Sequence, residues 1–223
     1  MHIEPGVVTG AKLLLSYATA AGGFFLAGRM AMDTIRESGL GALALRSVIT
    51  TGAVLTFFQV MPHFPVGVSE VHFILGSTLF LLFGGGAASI GLALGLLIQG
   101  LVFAPFDLPQ YGMNVTTLLV PLWAMAQLAR RIIAPGTAYV DLSYLQALKL
   151  STAYQAGVVA WVAFWVVWGE GFGIETLGHI ATFGAAYMSV ILLEPLADLA
   201  VLGIAKSARG LASSAVFTRR LTA

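Results

Sequence analysis

Long uncharged stretches dominate this chain, and the charged residues fall in short clusters between them. A helix crosses the hydrocarbon core of a bilayer with roughly 17 to 25 apolar residues. The spaces between the charged clusters predict seven such helices, at residues 11–28, 40–61, 71–83, 87–103, 115–128, 152–168 and 180–204. The pattern is typical of an all-α membrane protein with about seven transmembrane helices.

The third predicted helix, 71–83, is short for a membrane span. Pro62-His63-Phe64-Pro65 ends the helix before it, and Gly84-Gly85-Gly86 separates it from the fourth helix. We expect this segment to be tilted, half-buried, or preceded by a loop that dips into the protein.

The composition agrees with a chain whose solvent is mostly lipid. Hydrophobic residues make up 58% of the 223 residues and charged residues 9%, with a mean hydropathy of +0.92, whereas a soluble domain carries about 25% charge. These values exclude a soluble enzyme, and the net charge of +1 without a basic cluster excludes a nucleic-acid partner. The chain lacks cysteine and Walker, HExxH and GxSxG motifs, which excludes thiolate metal sites and ATP hydrolysis by the P-loop route. We expect residues 1–223 to form a single integral membrane domain.

Lysine and arginine predict the orientation, because positive charge is retained on the cytoplasmic side. With the N-terminus outside and an odd number of helices, only Lys12 lies at the outer side. The cations that then fall at the inner side are Arg29, Arg36, Arg46, Arg130, Arg131, Lys149, Lys206, Arg209, Arg219 and Arg220. The sequence therefore predicts an outer N-terminus and a cytoplasmic C-terminus.

In that orientation all the histidines and several carboxylates fall at the outer side. They are His2, His63, His72 and His179, with Glu4, Glu70, Asp107, Glu170 and Glu175. A surface that gathers imidazoles and carboxylates attracts cations. The outer side is thus predicted to capture a cation.

The chain opens Met1-His2-Ile3-Glu4-Pro5-Gly6, which lacks the features of a cleavable signal peptide, so we expect the start to be retained. We also expect Met1 to escape trimming, because His2 is large. A terminal amine, the next amide nitrogen and the imidazole of His2 can then chelate Ni(II), Cu(II) or Co(II), with His72 as a further donor. The alternatives are that His2 is an ordinary polar residue on a frayed terminus, and that His72 caps a helix at the interface, bonded to Glu70 or to a loop carbonyl.

Other polar residues favour structural interpretations. His63 lies between two prolines and is predicted to be a solvated turn residue, and His179 to begin the seventh helix. Glu194 and Asp198 are four residues apart on one helix face, where buried acids need partners, and Arg46 is a candidate. We favour a structural ion pair or a contact with a partner subunit over a proton relay.

Three stretches resemble one transporter family. They are Met1-His2-Ile3 with Gly6, the run His72-Phe73-Ile74-Leu75-Gly76-Ser77-Thr78-Leu79 followed by Leu82-Phe83-Gly84, and Gly112-Met113-Asn114-Val115. Together they are similar to the substrate-capture components of the cobalt and nickel energy-coupling-factor transporters, the CbiM and NikM group. The resemblance covers much of the N-terminal 120 residues, and it departs from the family at Glu4-Pro5 and at the residues that flank His72.

The resemblance implies a seven-helix fold whose N-terminal segment tucks into the bundle. It implies that Met1 binds metal through its amine, His2 through its amide and imidazole nitrogens, and His72 through its imidazole, with Asn114 close behind them. We add Glu70, two residues before His72, as a second candidate for a supporting role. The cargo is then Co(II) or Ni(II), without an organic cofactor. The resemblance further implies a transporter subunit of the bacterial inner membrane rather than an enzyme, with a transmembrane coupling subunit, a pair of ATPases and a small extra membrane subunit as its partners.

Two other functions remain open at this point. One is a membrane b-type haem protein with His72 and His179 as axial ligands, which would show a Soret band. The other is a membrane-embedded hydrolase that uses Glu70 with the histidines, whose activity would survive a tag before Met1. Metal capture through the terminal amine would not survive such a tag.

Overall fold

A computed structural model describes residues 3–207, and Met1, His2 and the tail residues Arg209, Arg219 and Arg220 lie outside this range. Within it the chain forms seven α-helices and one β-hairpin. The helices are α1 (Leu13–Ser38), α2 (Leu40–Gln59), α3 (Gly76–Phe83), α4 (Gly85–Val102), α5 (Tyr111–Ile132), α6 (Tyr144–Glu170) and α7 (Ile174–Ser207), and the strands are β1 (His63–Val66) and β2 (Ser69–His72). Short 3-10 turns lie at Gly10–Lys12, Pro105–Gln110 and Tyr139–Asp141. The predicted all-α class and the number of helices are confirmed, whereas the statement that all seven cross the membrane stays a prediction.

Five of the described helices, α1, α2, α4, α6 and α7, are long and apolar enough to cross a membrane by length and composition. Glycine ends two helices where the sequence places the breaks. Gly39 lies between α1 and α2 with φ +84°, and Gly84 lies between α3 and α4 with φ +89°. Glycine adopts this left-handed backbone without the penalty that a Cβ imposes, and it is the common residue after a helix C-terminus.

Several helices are longer than the hydrophobic pattern predicts. α1 continues past residue 28 to Ser38, and Asp33 in the added turns makes an ion pair of 3.0 Å with Arg130 near the end of α5. α6 begins at Tyr144, where Ser143 and Gln146 form a reciprocal capping box. Hydropathy finds the lipid-buried part of a helix, whereas charged pairs and caps extend the helix beyond it.

The predicted third helix at 71–83 is wrong in its first part. Residues up to His72 form β2, which pairs antiparallel with β1, and α3 begins only at Gly76. The expectation of a loop that dips into the protein is met, because Ile74 is fully buried and every residue of α3 except Leu82 is buried. An apolar run of this length fits a buried strand and a buried short helix as well as it fits one span.

Small residues let α4 pack closely against α2. A Cβ on Gly95 would lie 2.5 Å from the Val54 side chain, and one on Gly91 would meet Thr50. The hydroxyl of Thr50 donates a hydrogen bond of 2.8 Å to the carbonyl oxygen of Ala87. The small residues Ala87, Gly91 and Gly95, four apart in α4, therefore serve internal packing.

The two ends of the bundle differ in character. At one end Lys12 donates to the carbonyl oxygen of Gly169 at 2.8 Å, which joins the start of α1 to the end of α6. At the other end Lys206 donates to Val140 at 2.7 Å, and Arg130 meets Asp33. The hairpin and the N-terminal segment lie at the first end.

Candidate functional site

The N-terminal segment from Ile3 onward is packed into the bundle. Ile3 is fully buried, its N–H donates a hydrogen bond of 2.8 Å to the Asn114 side-chain oxygen, and it forms an antiparallel bridge with Ser69 of β2. The N–H of Glu4 donates to the carbonyl oxygen of Val68 at 3.0 Å. Backbone pairing with the hairpin and a hydrogen bond to one amide side chain therefore fix the direction of the chain at Ile3 and Glu4.

An apolar cluster packs against this segment. Ile3 and Val8 pack with Met113 of α5 and Trp165 of α6, and all four side chains are buried. Gly169 near the end of α6 lies against the backbone of Val7, where a Cβ would lie 2.8 Å from its carbonyl carbon. The N-terminal segment from Ile3 to Val8 thus packs between α5, α6 and the hairpin.

His72 ends β2 and is the buried histidine of the described residues. It is 2% exposed, and its ring lies edge-on to Phe58 with 4.5 Å between the ring centroids. Its Nδ1 lies 2.9 Å from the carbonyl oxygen of Phe73. A carbonyl oxygen only accepts hydrogen bonds, so Nδ1 carries the proton, and the lone pair of the neutral ring is on Nε2. That nitrogen is the one suited to bind a metal.

Three carboxylates outside the helices form an acidic group beside this segment. Burial, and after it the charges of Glu70 and Glu4, raise the pKa of Asp107 to about 6. Burial and then the charge of Glu70 also raise the pKa of Glu4. These mutual effects place Glu4, Glu70 and Asp107 near one another, as the predicted gathering of carboxylates at one side requires. Their combined charge attracts cations.

The structure does not bring the other two described histidines into this group. His63 pairs across the hairpin from His72, but it is exposed and its Nδ1 lies 3.2 Å from the Met61 carbonyl oxygen. His179 lies inside α7, which begins at Ile174 rather than at 180, and its Nδ1 lies 2.9 Å from the Glu170 carboxylate. The expectation that His179 begins the helix is therefore wrong. Within residues 3–207 no three histidine, aspartate or glutamate side chains are arranged to hold a metal.

Sequence reasoning missed a polar network beneath the hairpin. Glu194 of α7 accepts hydrogen bonds from the Ile74 N–H and from the Gln155 side chain. Asp198 accepts from the hydroxyls of Ser77 and Thr78. The spacing of the two acids in α7 was the only signal for this network, and it did not indicate the partners.

The proposed pairing of these acids with Arg46 is not what the structure shows. Within residues 3–207 the hydrogen bonds of Glu194 and Asp198 come from neutral donors. Arg46 instead lines a cavity of about 150 Å³ together with Asp33 and Glu37 of α1. The extension of α1 past residue 28 supplies those two acids, so the charge of Arg46 faces a different part of the fold.

Residues 2–211 match the family described as CbiM, cobalt uptake substrate-specific transmembrane region. The chain belongs to the CbiM family. A search of curated proteins and of solved structures finds no match. As a CbiM protein the chain is the substrate-specific component of a cobalt uptake transporter and a multi-pass membrane protein, not an enzyme. The match also extends the resemblance, which the motifs carry only through about residue 120, over nearly the whole chain, and it overturns the haem and hydrolase alternatives.

Proposed function

We propose that this CbiM protein captures divalent cobalt at the outer side of the membrane through nitrogen donors of Met1, His2 and His72. The donors are the Met1 amine, the amide and imidazole nitrogens of His2, and Nε2 of His72. A nitrogen-rich set of this kind suits Co(II) and also Ni(II), so we propose nickel as the competing cargo and no organic cofactor. Met1 and His2 lie outside the described residues, and the support comes from the residues around them.

The bridge between Ile3 and Ser69 is the observation that carries this proposal. The bridge is antiparallel, and β2 runs from Ser69 to His72. In this proposal the antiparallel pairing continues, so that the chain before Ile3 runs along β2 from Ser69 toward His72. Burial of Ile3 and the Nδ1 hydrogen bond of His72 support the same assignment, because the first anchors the residue next to His2 and the second orients the imidazole of His72.

Asn114 and Glu70 support the site without binding the metal in this proposal. Asn114 is 1% exposed and accepts the hydrogen bond that anchors Ile3. Glu70 lies on β2 between Ser69 and His72, and its charge acts on Glu4 and Asp107. Asn114 therefore orients the N-terminal segment, and Glu70 adds negative charge where a cation enters.

The test is cobalt titration of the purified protein with its own N-terminus beside a version extended before Met1. We expect stoichiometric binding that is lost on extension and lost in His72→Ala. His63→Ala is the matched control, since His63 lies opposite His72 in the same hairpin but is exposed. Binding that survives both extension and His72→Ala would overturn the site. Affinity is also expected to fall as the pH drops through the range in which imidazoles titrate, because the donors must be deprotonated.

We further propose that the N-terminus lies outside and the C-terminus in the cytoplasm. The support is the charge distribution, with Lys206 and Arg130 at the end opposite the hairpin. The chain has no cysteine, so single-cysteine variants report each end. A membrane-impermeant maleimide applied to intact cells should label Phe64→Cys in the exposed hairpin and should not label Ala134→Cys in the exposed α5–α6 connection. The reverse labelling would contradict this topology.

The assembly we propose contains a transmembrane coupling subunit, a pair of ATPases and a small extra membrane subunit, in the bacterial plasma membrane. Movement driven by the ATPases would reorient or open the bundle and release cobalt inward. One core cluster contains residues from all seven helices, which supports a single membrane domain over the chain. Purification of the chain with its partners, followed by ATP-dependent release of bound cobalt, tests this assembly. Release at the same rate without ATP would contradict it.

A further inference from the structure

The loop that joins β2 to α3 has an uncommon backbone conformation. Leu75, the residue before α3, has φ +52°, in the left-handed region that residues other than glycine rarely adopt. Such a residue is retained where its surroundings hold it in place. Leucine also has no polar atom with which to cap the first turn of α3. The conformation of this loop therefore depends on groups from other parts of the fold.

Glu194 of α7 supplies the contact that holds the loop. Its carboxylate is fully buried, accepts a hydrogen bond from the N–H of Ile74, and interacts with the backbone of Leu75. Its other oxygen accepts from the side-chain amide of Gln155. The oxygen of that amide accepts a hydrogen bond of 2.6 Å from the Tyr187 hydroxyl. Both oxygens of Glu194 thus have donors, and the orientation of each donor is fixed in turn.

The peptide unit between Phe73 and Ile74 connects Glu194 to His72. Its N–H donates to Glu194, and its carbonyl oxygen accepts from Nδ1 of His72 at 2.9 Å. Because a peptide unit is planar, the direction of the N–H fixes the direction of the carbonyl. Glu194 therefore sets the acceptor that keeps the proton on Nδ1 and the lone pair on Nε2.

We infer that Glu194 is a positioning residue for cobalt capture, acting on His72 through the peptide between Phe73 and Ile74. This inference rests on the proposed binding of metal by His72. Glu194 does not bind the metal; it orients the imidazole and selects its tautomer. Outer contacts of this kind change metal affinity by about 10- to 100-fold when they are removed.

Asp198 provides a matched control. It is 1% exposed, one helical turn beyond Glu194, and it accepts hydrogen bonds from the side chains of Ser77 and Thr78. Those hydroxyls belong to α3 itself, not to the peptide unit that holds His72. Removing the Asp198 carboxylate deletes an equally buried acid and leaves the link from Glu194 to His72 intact.

The experiment is cobalt titration, with the Co(II) absorption spectrum as a second readout, of variants that remain monodisperse in detergent. We expect Glu194→Leu to lose about 10- to 100-fold in affinity and to shift the Co(II) bands. Glu194→Gln should recover most of that affinity, since its amide oxygen still accepts from the Ile74 N–H when the Gln155 amide turns over. Asp198→Leu should stay within about threefold of the parent, the scale of ordinary variation among single contacts.

An equal loss in Glu194→Leu and Asp198→Leu, or no loss in Glu194→Leu, would overturn the inference. If Glu194→Leu does not fold, Glu194→Asp decides, because it keeps a carboxyl group but withdraws it from the loop. An affinity unchanged in Glu194→Asp would also overturn the inference. His72→Ala separates the two proposals. Cobalt binding that is retained in His72→Ala refutes the metal site itself. Cobalt binding that is lost in His72→Ala but unchanged in Glu194→Leu refutes only the positioning role of Glu194.

A further measurement starts from the parent protein and compares it with Glu194→Leu. With ¹⁵N-labelled histidine, nuclear magnetic resonance of the metal-free protein reports the tautomer of each ring. We expect the His72 signal to be that of a ring protonated on Nδ1, and we expect it to become a mixture in Glu194→Leu. A parent signal from a ring protonated on Nε2 would remove the link through the Phe73 carbonyl.

Discussion

Replacing Asp107 with asparagine is expected to stabilise the metal-free protein at neutral pH. Asp107 lies in the 3-10 turn between α4 and α5 and is 7% exposed. Burial, with added repulsion from Glu70 and Glu4, raises the pKa of its carboxyl from 3.8 to about 6. At neutral pH the folded protein therefore holds a charge that the unfolded chain would hold at lower cost. Asparagine has nearly the same shape and removes that charge.

The size and the pH range of this effect follow from the pKa change. The interval between 3.8 and about 6 corresponds to about 3 kcal/mol, at about 1.4 kcal/mol for each pKa unit. Below about pH 4 both states are protonated, and Asp107 contributes no penalty. Between about pH 4 and about pH 6 the unfolded chain binds fewer protons than the folded protein, so stability falls as the pH rises. Above about pH 6 the penalty is complete.

Unfolding of the detergent-solubilised protein, followed by circular dichroism at several pH values, measures this difference. The free energy of unfolding of Asp107→Asn should match that of the parent near about pH 4 and exceed it by about 3 kcal/mol above about pH 7. Asp141→Asn is the control, because Asp141 is exposed in the 3-10 turn before α6. A constant difference between Asp107→Asn and the parent across the pH range would refute the assignment of the penalty to ionisation.

Two further substitutions test how the N-terminal segment is held. Asn114→Ala leaves the buried N–H of Ile3 without its acceptor, and we expect a loss of about 1 to 3 kcal/mol in unfolding free energy, together with weaker cobalt binding in titration; an unchanged melting temperature would contradict the anchoring role. Gly169→Ala places a Cβ against the backbone of Val7, so we expect cobalt binding to weaken, whereas Gly173→Ala, which has open space among the described residues, should bind as the parent does. Equal cobalt binding by the two glycine variants would show that cobalt binding does not depend on the position of the Val7 backbone.

The positions of the five helices that are long and apolar enough to cross the membrane could be predicted from the sequence, because the bilayer imposes one requirement on every span. Each span must present apolar side chains over the same thickness, so the signal lies in consecutive residues. The break at Gly84 was readable for a similar reason, since left-handed backbone favours glycine locally. Helix positions and glycine breaks that depend only on residues adjacent in the sequence could therefore be predicted without knowledge of the fold.

The hairpin and the extended ends of the helices depend on contacts that no local pattern contains. β2 is a strand because it pairs with β1 and with Ile3, although Val71 and His72 belong to the uncharged run that continues into α3. α1 continues past residue 28 to Ser38, and Asp33 in the added turns meets Arg130, which is distant in the sequence. The hydrophobic pattern of a segment indicates which of its faces are buried. It does not identify the distant residues that contact the segment.

The family motifs directed attention to Met1, His2, His72 and Asn114, and the structure adds the residue that connects two of the regions. Ile3 contacts Asn114 and β2 at once, so the entry of the N-terminal segment and the position of the hairpin are parts of one arrangement. A ligand set read from motifs names the donors but not the contacts that hold them. Those contacts were outside the reach of the motifs because each uses the backbone of Ile3, and almost every residue type offers the same backbone groups.

The same group of carboxylates links stability to capture. At neutral pH the ionised Asp107 destabilises the metal-free protein, yet its charge, with those of Glu4 and Glu70, lowers the energy of a divalent cation nearby. Bound cobalt should therefore stabilise the parent more than Asp107→Asn, because it removes a repulsion that only the parent has. The two unfolding curves should approach each other as cobalt is added, and a gap independent of cobalt would place Asp107 outside the field of the bound ion.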